Sequence, residues 1–249
     1  MMNAGNAEIQ ADIVHLIAQR FDRFKGKHRI RDFAQAYLEL LNDAKKTIAT
    51  NQLLSSFGLT ADTFISRQLE MNDRFVDRLT SAIFQVETGC ETIIAGLDDT
   101  GPHLYKIDDS GLRCCDAVGF AAIGYGARHA ESQFMLGEHI RASSLIDTAM
   151  LTYIAKKRSE IAPGVGQDTD LFYIRHSLQH VVPIVWLFQP EVITPFQTIY
   201  DQLKSEQDTA LEKAKEALRK HVASLTPANQ KPNPATELLP PNPKDDQKP

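Results

Sequence analysis

The sequence is poor in the features that usually assign a function quickly. Cysteine occurs three times and tryptophan once in 249 residues. Cys90, Cys114 and Cys115 are odd in number, two are adjacent, and none has CxxC or histidine spacing. This excludes a disulfide framework and a zinc knuckle, and it suits buried or half-buried thiols in a reducing compartment. Neither sign of charge dominates. The net charge is −5 and the pI about 5.9, so there is no basic surface to draw nucleic acid or an anionic membrane. No apolar run reaches the roughly 18 residues of a membrane span. The start MMNAGNAEIQ lacks the basic region and apolar core of a secretory leader, and the expected location is the cytoplasm. GxSxG, Walker and GxGxxG patterns are missing. Histidines 103, 129, 139, 176, 180 and 221 are scattered. His176 and His180 are four apart, but Pro183 follows and no carboxylate motif is near, so no metal and no cofactor is expected.

What is present is a real core composition, 43% apolar, arranged mostly at helical spacing. Ile9, Ile13, Leu16, Ile17, Phe21 and Phe24 form one face of a helix that starts near Ala7, capped by Asn6 and ended by Gly26. Ile30, Phe33, Tyr37, Leu38, Leu41, Ala44 and Ile48 repeat the pattern over about 29–55, and Gly58 breaks it. Thr60 or Asp62 starts a third helix; Asn72-Asp73 interrupts it, and Phe75, Val76, Leu79 and Ile83 carry it to about Val86. Ser143-Ser144 starts a later helix, ended by Pro163-Gly164-Val165-Gly166, with Lys156-Lys157-Arg158 as its solvated, dipole-favoured end. Thr194-Pro195-Phe196-Gln197 reads as a helix start, with Thr as N-cap and Pro at N1. That helix is predicted to run to about Ala223, helped by a Glu216–Lys220 pair. Its first half is expected to meet the body; its second half is either a solvated protrusion or a partner contact. Residues 224–249 have the composition of a disordered tail.

Between these helices lies a stretch of a different kind. Apolar runs at Ile93–Leu97, Leu104–Ile107, Leu112–Asp116 and Val118–Ile123 are separated by Asp98-Asp99-Thr100-Gly101-Pro102 and Asp108-Asp109-Ser110-Gly111. Asx, Ser, Gly and Pro clusters between β-prone runs predict an antiparallel meander of four strands. The two aspartate pairs are turn residues in that reading. A fifth strand is predicted at Leu171–Ile174, and a bulged or edge strand at Val181–Phe188, with Pro183 inside it and Trp186 packing in the core. The meander closes on Gly124-Tyr125-Gly126, directly before a helical run from Ala127 to Met135.

Ala95, Gly96, Asp98, Gly101, Pro102, Leu104, Tyr105, Ile107, Asp108 and Gly111, continued by Ala121, Ala122, Ile123, Gly124, Gly126, Ala127, Ala130 and Phe134, form a pattern that resembles proteasome-type N-terminal-nucleophile hydrolases. The resemblance covers roughly residues 1–175. It implies an α+β fold, an αββα sandwich of antiparallel strands covered by helices. The implied organisation is a domain over 1–190 that misses the first strands, a long helix over 191–223 and the tail over 224–249. It also implies that Ala4-Gly5-Asn6-Ala7-Glu8 lies at the end of an early strand and leads into the first helix, and that Gly5 stands where the family places an oxyanion-hole glycine.

The same resemblance sets what to expect of activity. Family chemistry uses an N-terminal threonine whose own α-amino group is the base, together with a lysine on an early strand. The nearest threonine to the start here is Thr47, in a predicted helix. Tyr125 stands where active members carry serine in the turn between glycines. Ala162-Pro163-Gly164-Val165-Gly166 replaces an Asp-x-x-Ser-Gly loop. The expected function is therefore a truncated form of a threonine-type peptidase, inactive as this chain. The alternative is a non-catalytic assembly or scaffold subunit of a homo-oligomer or proteasome-like ring, joined through the C-terminal helix. A third reading is a helical module that binds a small ligand and resembles the family by accident; fewer than four strands within 89–123 would favour it.

Overall fold

The computed structural model describes residues 1–22, 28–175 and 184–225. The chain is α+β. Strand β1 (Met2–Gly5) leads into helix α1 (Ala7–Asp22), and helix α2 (Ile30–Ala49) follows. A π-helical turn at Thr50–Leu54, helix α3 (Ala61–Ser66) and helix α4 (Asp73–Phe84) fill the segment before the strands. Strands β2 (Cys90–Asp98), β3 (Gly101–Asp108) and β4 (Gly111–Cys114) then form a meander. Helices α5 (Ala127–Leu136) and α6 (Leu145–Ser159), strands β5 (Phe172–Arg175) and β6 (Ile184–Leu187), and helix α7 (Pro190–Leu225) complete the order.

The main sheet runs β1-β2-β3-β4, antiparallel throughout. The register pairs Gly5 with Cys90, Ile94 with Tyr105, and Thr92 with Ile107. Side chains alternate across a strand, so Cys90, Thr92, Ile94, Tyr105 and Ile107 share one face. That face meets α1 and α2, where Ile13, Ile17, Ala34, Tyr37 and Leu41 bury their apolar stripes. Glu91, Ile93 and Lys106 are on the opposite face. β5 and β6 pair separately, and β5 lies against β2.

Local signals explain the helix starts. Asn6 Oδ1 accepts from the Glu8 and Ile9 amides at 3.2 and 3.3 Å, a cap that satisfies otherwise orphaned donors. Ser144 accepts from the Asp147 amide at 3.1 Å and caps α6. Gly58 takes φ +66° and ends the helical run after the π turn.

Several sequence expectations are corrected. Val118–Ile123 is not a strand, so residues 89–123 hold three strands rather than four. Asp116 takes the Leu104 amide at 2.6 Å, and the chain turns at Gly119. Backbone groups beyond the turn then bond to side chains: Lys106 Nζ donates to the Ala122 carbonyl at 2.8 Å, and the Gly124 amide donates to Glu91 at 2.8 Å. The fourth strand of the sheet is β1 instead. α7 starts at Pro190, not Thr194, because the Gln189 carbonyl already accepts from Val192 and Ile193. Pro195 is therefore inside the helix, and the Thr194 hydroxyl donates to the Pro190 carbonyl at 2.9 Å. Trp186 is 42% exposed, stacked on Tyr173 with Arg175 over its ring, rather than in the core. Cys114 is exposed, and only Cys90 of the three thiols is fully buried. Pro183, the His176–His180 pair, Gly26 and all but the first two residues of the predicted tail lie outside the described residues.

The described residues divide into two units, one within 1–196 and the other over 197–225. In the second, the described residues are a helix with exposed side chains from Asp201 to Ser224. It carries i,i+3 and i,i+4 contacts, including Lys215–Glu212 at 2.6 Å and the expected Lys220–Glu216 pair at 3.6 Å.

Candidate functional site

A cavity of about 860 Å³ opens on the sheet face opposite α1 and α2. Its walls come from β1, the start of β2, the loop before α5 and the C-terminal end of α6. Gly5, Gly124, Tyr125 and Gly126, singled out in the sequence, all line it.

Gly5 is fixed by close backbone approach. Its φ is +99°, and a Cβ there would stand 1.8 Å from the Gly89 carbonyl oxygen. Only glycine fits this position. The neighbouring Asn6 amide donates to the same Gly89 carbonyl at 3.1 Å. Gln10, 5% exposed, donates from its side chain to the Ala4 and Glu91 carbonyls, tying β1 to β2 and α1.

The Gly124–Gly126 turn is fastened to this strand pair. Gly124 has φ +79°, and a Cβ on it would come within 3.3 Å of the Ala4 Cβ. At Gly126 a Cβ would meet Ser159 at 2.6 Å, so this glycine sets how closely α5 approaches α6. Tyr125 between them is 86% exposed, with its ring edge beside Gly164.

The charged lining is not evident from the sequence pattern. Glu91 is the residue that holds the turn, and strand alternation in β2 is the signal available for it. Lys156, expected as part of a solvated helix end, donates to Glu160 and to the Gly166 carbonyl, each at 2.7 Å. Lys157 joins Glu160 at 3.1 Å. These lysines clamp the loop after α6. Burial pushes Glu160 up, but the Lys156 and Lys157 contacts outweigh it and hold its carboxyl below the usual range. Asp109 accepts from the Thr88 and Gly89 amides at 2.9 and 3.2 Å and so braces the turn facing Gly5.

The lining can bind and orient a backbone segment, but it lacks an activated nucleophile among the described residues. Ser159 and Thr152 donate their hydroxyls to the Lys156 and Thr148 carbonyls at 2.6 and 2.7 Å. Cys90 is 2% exposed, and burial pushes its thiol pKa up, away from the reactive thiolate. Lys156 is committed to its two acceptors. Among the described residues no three His, Cys, Asp or Glu side chains gather as a metal site.

A second polar cluster lies away from the cavity. His103 Nδ1 is 2.7 Å from Asp116, and Nε2 is 2.7 Å from the Thr100 hydroxyl. The order hydroxyl–imidazole–carboxylate has the shape of a nucleophile relay. However, the Thr100 hydroxyl is 2.6 Å from Asp98 and donates there. Asp98 also takes the Ile30 amide at 3.0 Å. The cluster ties the β2–β3 turn to the start of α2, as expected of turn aspartates.

The model of the proteasome subunit family matches residues 67–149. That segment runs from the end of α3 through α4, the β2–β4 meander and α5 into α6, and it includes the Gly124–Gly126 turn. The match bears out the resemblance to the proteasome family over that segment, although the three strands within 89–123 are fewer than the four expected, the count that favours the third reading. No curated protein matches the chain.

Proposed function

We propose that this chain, matched at residues 67–149 by the proteasome subunit family, is the fold core of a threonine-type peptidase in a form that does not hydrolyse amides by itself. One observation carries the reading: Gly5 and the Gly124–Gly126 turn, far apart in sequence, line one cavity of about 860 Å³. In this reading the cavity seats the nucleophile-bearing strands of the intact enzyme, and Gly5 contributes an oxyanion amide. β1 is the outermost strand of its sheet, and an edge strand can accept further strands. The commitment of Ser159, Thr152, Cys90 and Lys156 to other contacts supports inactivity of the chain alone. Like typical family members, the protein is expected to self-associate, and its place is the cytoplasm. No described helix is long and apolar enough to cross a membrane.

The test is the intact mass and N-terminal sequence of the protein from its native source, together with a peptide-hydrolysis assay of the 249-residue chain. A longer native chain that begins with threonine after processing, and no turnover by the 249-residue chain, supports the reading. Turnover by the 249-residue chain overturns it.

A native protein that begins at Met1 or Met2 supports the second reading, a non-catalytic assembly subunit. The observation that favours it is α7, which shows Ile199, Leu203, Leu211, Leu218 and Val222 exposed. Deleting residues 205–249 would then abolish association; an unchanged oligomer mass would remove that role.

A further inference from the structure

A second cavity opens in the segment between α2 and β2, lined by none of the residues that line the first. It measures about 370 Å³, within the range of small-molecule pockets. Its base is the buried pair Leu54 and Phe64, joined by Ile83. Ile65 and Phe84 also line it while remaining 67% and 82% exposed. The π turn Thr50–Leu54 widens the helix at this point, and such widened turns are frequent at functional sites.

The charge of this lining is of one sign. Lys45 and Lys46, on the α2 side, are its only charged side chains among the described residues, and no carboxylate lines it there. Their present partners are loosely placed, with Lys45 at 3.5 Å from Asp109 and Lys46 at 3.7 Å from Asp62. Lys46 and Asp62 are both largely exposed, and such pairs contribute little. The Lys46 ammonium can turn toward a ligand, and Lys45, held in the more buried pair with Asp109, adds its charge from the same side. The C-terminal carbonyls of α2 oppose an anion with only about half a charge, which two lysines exceed. An apolar base with cations along one side is complementary to a molecule with an aliphatic body and one anionic end.

We propose that this cavity binds an amphipathic monoanion of the fatty-acid class, with the aliphatic chain against Leu54, Phe64 and Ile83 and the carboxylate at Lys45 and Lys46. Decanoate is the probe. Calorimetric titration of the full chain should show saturable binding with Kd of about 0.1 mM. 1-Decanol, with the same chain and no charge, should bind about tenfold more weakly. Lys46→Glu, a change at an exposed position, should weaken decanoate about tenfold and leave decanol unchanged. Ala61→Phe, which fills the cavity, should abolish both. Absence of saturable binding, equal affinity for decanoate and decanol, or indifference to Lys46→Glu would overturn the proposal. So would self-association that Ile65→Glu abolishes and that excludes decanoate, because a second copy would then be the occupant.

Discussion

Around β1–β4, α1 and α2, nine buried side chains form one cluster; in the segment from the π turn to α4, only three do. The first region also buries polar groups and satisfies them. Thr92 is fully buried, and its hydroxyl lies 2.9 Å from Asn3 Oδ1 and 2.7 Å from the Tyr37 hydroxyl. The second region leaves Phe57, Ile65, Leu69 and Phe84 more than half exposed. It relies on caps: Thr60 and Thr63 bond reciprocally at the start of α3, and Asn72 accepts from Arg74 at the start of α4. A sheet with a fixed register and a satisfied polar chain permits one arrangement. A small apolar cluster with capped short helices opens at lower free energy. Gly5 stands in the rigid region, and the second cavity lies where the loose region meets the end of α2.

The largest expected effect tests how rigid the first region is. Gly5→Ala sets a Cβ against the Gly89 carbonyl and imposes a strained φ. It should cost about 4 kcal/mol of unfolding free energy, seen as a lower urea midpoint. A loss under about 1 kcal/mol would mean that β1 can leave the sheet cheaply, and the contrast between regions would fail. Next comes Phe64→Ala, which should cost about 3 kcal/mol through the cavity it leaves. Its hydrogen-exchange signature matters more than its size. Exchange should rise in α3 and α4 and stay unchanged in β2 and β3; a uniform rise would show one cooperative unit instead of two.

Two smaller changes sharpen the same contrast. Thr92→Val keeps the shape and removes the buried hydroxyl, leaving Asn3 and Tyr37 short of a partner; about 2 kcal/mol is expected. Tyr37→Phe combined with it should recover part of the loss, since the orphaned hydroxyl is then gone. Gly58→Ala, in the loose region, shares a positive φ with Gly5, but nothing stands within 4 Å of the added Cβ. It should cost only about 1 kcal/mol, the strain of a left-handed alanine. Equal effects at Gly5 and Gly58 would show that conformation, not close approach, governs both.

Much of the fold is legible in the sequence because the signals are local. The caps at Asn6 and Ser144 and the stop at Gly58 each act within a few residues, and the turn aspartates and the glycine turn at 124–126 carry local turn signals besides their distant contacts. Val118–Ile123 misleads because its β-prone residues look the same whether their backbone meets a strand or meets Lys106 and Glu91. The start of α7 misleads because Thr194-Pro195 is a good start in isolation, and Pro190 is a better one a turn earlier. Lys156 and Lys157 read as solvated because the 166–167 carbonyls that help hold them belong to a fold-dependent loop, although Glu160, four and three residues on, is a local partner. The cavity beside Gly5 can be expected only through the family pattern, since its walls come from segments about 120 residues apart.

The smallest effect is electrostatic and joins the loop at 98–103 to α2. The Thr100 hydroxyl, followed by the Ile30 and Thr100 amides, donates to Asp98 and holds its carboxyl well below the usual range. The unfolded chain titrates near the ordinary aspartate value of about 3.9. A folded pKa below the unfolded one means that the unfolded state binds more protons between the two values. Stability therefore rises with pH across that window. The contribution of Asp98 is present above about pH 4 and is lost as pH falls toward its folded value. Asp98→Asn removes this titration while an amide oxygen can still accept from Ile30. The variant should have a shallower loss of melting temperature than the parent on going from about pH 5 to about pH 2, with little change in slope between about pH 6 and 8. An unaltered acid slope would mean that the Asp98 contacts do not persist in solution. The start of α2 would then belong with the loosely held region rather than with the sheet.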